Sequence, residues 1–215
     1  MSSTRVSDID WNPPTQARGH ARVEAILSAT RELIVEAGHI DLKMSDVAKA
    51  AEIPIGSLYQ YFPTRTALLG QVFAREMAPI DQSLKSGLET AQTVKDVLDG
   101  ISGLVRAHAE LVRKNPGLFV LWTAPGIDPA LQSAALMNSI ANAQVIADRL
   151  MAISGSTRNA HAIYDTALLI CHVWGSVIRL NAMLDTADPD NTVIDQFVGM
   201  IEARLRDLLG KFDTA

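Results

Sequence analysis

The chain has 215 residues, is 48% hydrophobic but only 5% aromatic, and carries a net charge of −5. That length fits one large or two small packed domains, and the acidic balance excludes a protein that grips nucleic acid by bulk positive charge. A single cysteine, Cys171, excludes an internal disulfide framework and fits a reducing compartment.

Charge is uneven along the chain. Residues 1–78 hold eight Lys or Arg and nine Asp or Glu, net −1, whereas residues 79–215 hold eleven and fifteen, net −4. The first sixteen residues, MSSTRVSDIDWNPPTQ, have no apolar run, so they do not read as a secretion signal. A flexible arm is expected over 1–17. The longest apolar stretch is interrupted by Asp165, His172 and Arg179. A membrane span needs roughly 20 predominantly apolar residues, so a soluble, cytoplasmic protein is expected.

From Arg18 to Ala37, Val23, Ile26, Leu27, Thr30, Leu33, Ile34 and Ala37 recur at the spacing of an amphipathic helix, and Gly38 ends it. A short helix is predicted over 44–51 with Val47, Ala48 and Ala51 inward, then a turn at Glu52-Ile53-Pro54. The next helix, 55–61, turns Leu58 and Phe62 inward, one helical turn apart, and Pro63 breaks it. Thr64 suits the cap of a fourth helix carrying Leu68, Leu69, Val72 and Phe73. Pro79 is expected to end or kink that helix and to mark a domain boundary. The remainder predicts helices near 80–90, 93–113, 116–123, 128–152, 158–185 and 190–211, jointed at Pro, Gly or Asp. The fold class is therefore all-α, with a first helical domain over 18–78 that contains two short helices joined by a tight turn, and a second helical domain over 79–215.

The segment from Met44 to Arg65 carries the functional signal. A helix-turn-helix lays its second helix in the major groove and braces it with the first. With Leu58 and Phe62 facing the core, Ile55, Gly56, Ser57, Gln60 and Tyr61 turn outward. Gly56 lets the backbone approach a duplex. Gln60 matches the paired donor and acceptor of adenine, and Ser57 can meet a phosphate or a base edge. Tyr59 and Tyr61 offer hydroxyls to phosphates, and Arg65 sits in the first turn of the next helix, where charge and free N–H groups both favour an anion.

These residues resemble the DNA-binding domain of the TetR (tetracycline-repressor-like) family of transcriptional regulators. The likeness runs through Ala29, Leu33, Ala37 and Gly38, then Asp46, Val47, Ala48, Ala50, Ala51 and Ile53. It is strongest at Gly56, Ser57, Leu58, Tyr59, Tyr61 and Phe62, followed by Arg65, Ala67, Leu68 and Leu69. The resemblance implies a homodimeric regulator that binds a near-palindromic operator in double-stranded DNA, usually as a repressor. It further implies release when a small molecule occupies the C-terminal domain and shifts the spacing of the two recognition helices. Four positions depart from the pattern. Lys43 stands where a hydroxyl cap is expected, exchanging the cap for a point charge toward phosphate. Glu52 replaces a small residue, usually Gly, in the turn. Pro54 and Ile55 replace a cap and a polar residue, and Ile55 then faces a thymine methyl instead.

The last two helices read as holding more apolar surface than one domain can hide, the alternative being that both are simply core of one domain. A dimer through Ile163, Leu169, Val173, Ile194, Phe197, Ile201 and Leu205 is expected, the pair of helices doubling into a four-helix bundle. An effector pocket, largely apolar, is expected from His108, Phe119, Trp122, Met137, His172, Trp174 and Arg179. Plain core packing is the alternative for each of them. The five histidines do not show metal-ligand spacing, and Cys171 on an apolar helix reads as a small hydrophobe. No metal, no cofactor and no catalytic constellation is expected. The alternatives to a ligand-released repressor are a ligand-blind or activating regulator of the same fold, and an all-helical binding protein or enzyme whose helix-turn-helix is only structural.

Overall fold

A computed structural model describes residues 11–115, 119–121, 129–155, 159–184 and 192–209. Among them the chain is helical, with no strand. The helices are α1 (Ala17–Ala37), α2 (Met44–Ala50), α3 (Ile55–Tyr61), α4 (Arg65–Thr90), α5 (Val94–Lys114), α6 (Pro129–Ser154), α7 (Ala160–Met183) and α8 (Thr192–Leu209).

Local signals set the ends. Gly38 adopts a left-handed φ of 69° and donates its N–H back to the carbonyl of Ile34 at 2.9 Å, closing α1. Thr64 caps α4, its Oγ1 accepting from the Ala67 N–H at 3.0 Å. α5 opens with a reciprocal cap: Thr93 Oγ1 accepts from the Asp96 N–H, and Asp96 Oδ2 accepts from the N–H groups of Gln92 and Thr93. Those backbone N–H groups hold the Asp96 carboxyl below its ordinary range.

Of the two outcomes expected at Pro79, an end or a kink, the structure does not show an end. α4 runs through it as one helix of 26 residues. An interior proline costs a backbone hydrogen bond and roughly 3 kcal/mol. Burial on both sides offsets that cost: Leu68, Leu69, Val72, Phe73 and Met77 before it, Leu84 and Leu88 after it.

Two compact units emerge. The first joins the described residues up to Met77 with those of Asn115–Met137; the second joins Ala78–Lys114 with those from Asn138 onward. The division is thus not a single cut, because a later segment belongs with the first unit.

In the first unit, α1 carries Val23, Ile26, Leu27, Ala29, Thr30 and Ile34 inward. Arg31 pairs with Glu76 at 3.0 Å, and Arg75 bonds Ser28 and pairs with Glu24, tying α1 to α4. In the second unit α5, α7 and α8 pack on one another. α5 buries Val97, Leu98, Ile101, Val105, Ala109 and Val112; α7 buries Ile163, Ala167, Ile170, Trp174 and Ile178; α8 buries Ile194, Val198, Ile201, Leu205 and Leu209. By length and apolarity alone α7 also passes for a membrane span, as core helices do.

Candidate nucleic-acid interface

The interface begins with the turn between α2 and α3. Glu52 sits at φ 55°, the only left-handed non-glycine residue among those described. Its N–H bonds to Lys49 O at 3.2 Å, and the N–H of Ile53 bonds to Ala48 O at 3.0 Å. That bond pair is the closure glycine normally provides after a helix. The sequence departure at Glu52 therefore changes the residue but not the geometry. Lys43 and Pro54 stand at the N-caps of α2 and α3, and neither supplies a side-chain cap.

α3 is anchored by Leu58 and Phe62, both 0% exposed. Removing two such side chains from water stabilises the unit by roughly 2–3 kcal/mol each. Anchoring fixes the opposite face. Ile55 and Tyr59 are 44% and 46% exposed, Gly56 and Gln60 are exposed, and Ser57 is half-buried at the edge. Among the described residues, nothing outside its chain neighbours and its own helix backbone lies within 4 Å of where a Gly56 Cβ would stand, so the bare backbone there serves no packing between elements. Lys43 is exposed at the start of α2.

Two expected contacts are placed differently from the simple helical projection. Tyr61 is half-buried, its hydroxyl lying 3.3 Å from where a Cβ on Gly19 would stand, so it leans on the first turn of α1. Arg65 pairs with Asp41, and both side chains are largely exposed. A surface pair of this kind is worth at most about 1 kcal/mol, so a phosphate competes for Arg65 at low cost.

The arm also departs from expectation. Residues 1–10 lie outside the described residues, but residues 11–16 are not free. Trp11 stacks on Phe62, with ring centroids 5.7 Å apart and planes 9° apart. Asn12 donates its backbone N–H to Tyr61 O at 2.8 Å and its side-chain amide to Gln60 O at 2.7 Å. An open cleft of about 450 Å³ lies alongside, lined by Asn12, Gln16, Arg18, Arg22, Gln60 and Tyr61 among others. Sequence reading passed over this docking because the arm is polar overall. The signal present was one large aromatic, Trp11, directly before Asn12 and two prolines.

In the second unit the expected pocket residues separate. His108 and Trp174 are buried and come together, ring centroids 6.0 Å apart and tilted by 54°. Burial pushes the His108 imidazole down to about 4, so it is neutral at pH 7. The indole Nε1 of Trp174 is buried and has no hydrogen-bond acceptor among the described residues. His172 is exposed on another side of α7, 3.4 Å from Ser139 Oγ. Arg179 is half-buried and donates to Ser176 Oγ at 2.6 Å. Phe119 and Met137 group with the first unit, and Trp122 lies outside the described residues. Asp81 accepts from Asn138 at 3.3 Å and Asn142 at 2.7 Å. Burial pushes the Cys171 thiol up to about 12, with the Asp81 carboxylate adding to the effect, so it is no thiolate at pH 7.

The apolar stripes of α7 and α8 divide in a way periodicity does not reveal. Ile163, Ile194, Ile201 and Leu205 are at most 2% exposed within one chain. They pack the unit's own core and have no surface to give a second subunit. What remains open is Leu169 at 64%, Leu180 at 47%, Met183 at 73% and Met200 at 69%, with Val173 and Phe197 half-buried between.

Residues 26–72 match the family described as bacterial regulatory proteins, tetR family, and residues 91–209, more than half the chain, match the tetracyclin repressor-like C-terminal domain. The HTH-type transcriptional repressor KstR of Mycobacterium tuberculosis is 26% identical over 123 residues, covering 55% of this chain and 56% of its own. KstR of Rhodococcus jostii is 38% identical over 65 residues, 30% of this chain and 31% of its own. The chain thus spans between about a third and about half the length of these curated relatives. A TetR transcriptional regulator from Rhodococcus sp. RHA1 shares the fold, with a TM-score of 0.60 at 21% identity over 91% of this chain and 100% of its own. On the match to both its N-terminal and its C-terminal parts, the chain belongs to the TetR family of bacterial regulatory proteins.

Proposed function

We propose that the protein is a cytoplasmic transcriptional repressor that binds a near-palindromic operator as a homodimer and leaves it when a small, largely apolar molecule occupies the second unit. The observation that carries the reading is α3: Leu58 and Phe62 are fully buried, and the face they leave open is small and polar around Gly56, Ser57 and Gln60. That is the surface a major groove admits. KstR, named a transcriptional repressor, supports the same direction of regulation. Lys43 and Arg65 supply phosphate contacts at the edges of the motif. Because the chain carries a net charge of −5, affinity rests on few, well-placed contacts rather than on bulk attraction.

The effector seat is centred on His108 and Trp174. A neutral imidazole and an indole N–H buried without an acceptor among the described residues favour a mainly apolar ligand bearing one hydrogen-bond acceptor. The subunit contact uses the open face of α7 and α8 through Leu169, Val173, Leu180, Met183, Phe197 and Met200. A gel mobility shift of purified dimer on the DNA upstream of its own gene tests the reading. A discrete shifted band that survives competitor DNA is expected. No shift at low salt overturns it.

A further inference from the structure

We infer that Trp11 and Asn12 are positioning residues for the recognition helix: with Pro13 and Pro14 they form a strap that holds the C-terminal end of α3 in its reading position. The inference rests on the reading of α3 as the groove-reading helix.

α3 has only seven residues. A helix that short is marginal by its own hydrogen bonds, and its order comes from what holds its ends. The last carbonyls of any helix lack intrahelical donors. Here Asn12 satisfies two of them at once, its backbone N–H on Tyr61 O and its amide on Gln60 O. Trp11 stacks on Phe62, the side chain that anchors α3 to the core. The strap therefore engages both the backbone end and the anchor.

Its own path is fixed from the other side. Pro13 and Pro14 restrict the backbone to an extended course, and Gln16 then stands at the N-cap position of α1 in an extended conformation, φ −123°. Gly19 in the first turn of α1 makes the crossing possible. A Cβ there would stand 2.7 Å from the Pro14 Cβ and 3.3 Å from the Tyr61 hydroxyl. A proline ring cannot yield as the end of a flexible side chain can, so any larger residue at 19 lifts the strap. The linkage runs from α1 through the strap to the residues beside Gln60, whose side chain faces outward.

The test uses full-length protein in four forms: wild type, Trp11→Ala, Trp11→Phe and Gly19→Ala. Gly19→Ala is informative because alanine improves helix propensity, so a loss cannot come from damage to α1. Amide hydrogen exchange is read over Tyr59–Phe62 without DNA, alongside thermal melting and operator affinity. Wild type and Trp11→Phe are expected to protect these amides and bind alike. Trp11→Ala and Gly19→Ala are expected to exchange faster there with melting nearly unchanged, and to bind the operator about tenfold more weakly, a factor equivalent to 1.4 kcal/mol. Unchanged exchange over α3 in Trp11→Ala overturns the inference. So does faster exchange throughout the first unit with a lowered melting temperature, which makes the strap a general stabiliser. If wild type binds no operator but α3 alone loosens in the variants, the proposed function falls while the strap's hold on α3 stands.

Discussion

At the scale of single residues, the turn at Glu52 shows how far a fold tolerates an unsuitable side chain. Its left-handed φ of 55° is imposed by the two backbone bonds that close α2. An L-residue there costs roughly 1–2 kcal/mol that glycine does not incur. Glu52→Gly is therefore expected to raise unfolding stability by about 1 kcal/mol, part of the gain being returned through glycine's more flexible unfolded chain. Urea unfolding checks this, and a midpoint that stays put or falls means the Glu52 side chain makes a compensating contact. The family pattern expects a small residue at this position, so the substitution was visible in the sequence. Its harmlessness to the turn was not, because φ is set by the bonds of neighbouring residues.

At the scale of elements, what was legible followed from local chemistry, and what was not depended on distant partners. Gly38, Thr64, Leu58 and Phe62 act as their positions predict, because caps and one-turn spacings are decided within a few residues. Pro79 does not end α4, since the burial that carries the helix through it comes from other elements. The stripe at Ile194, Ile201 and Leu205 misleads for a related reason: core and interface impose the same period on a helix, and only burial within one chain separates them. The α5–α7 contact around His108 carries the next prediction. An unfolded histidine titrates near 6.5, whereas burial brings the folded one to about 4. Stability from the neutral ring is thus fully present above about 6.5 and is lost as pH falls toward 4. The wild type is expected to lose on the order of 2 kcal/mol from this group between pH 7 and pH 5, and His108→Gln is expected to lack that component. Urea unfolding at the two pH values measures it. Equal slopes in both proteins would place the titrating group elsewhere.

At the scale of the whole molecule, the proposed function places two recognition helices on one assembly. In that reading a single α3 would meet one half of a near-palindromic operator, and the second half-site would add affinity only through linkage. Linked binding of two heads exceeds one by roughly 10²–10⁴, so the proposed subunit contact would govern operator affinity without touching DNA. The face left open on α7 is where the proposed contact can be severed cleanly. Leu169 is 64% exposed within one chain, so replacing it with a charge leaves the core of the second unit intact, whereas the same change at Ile194 or Leu205 would unfold it. Leu169→Glu is expected to melt near the wild-type temperature, to run as a monomer in light scattering at micromolar concentration, and to lose about 10²-fold or more in operator affinity. A variant that stays dimeric would move the contact toward the Met200 side of α8. One that becomes monomeric yet binds with wild-type affinity would show that a single recognition helix, held by its own unit, is sufficient for the operator.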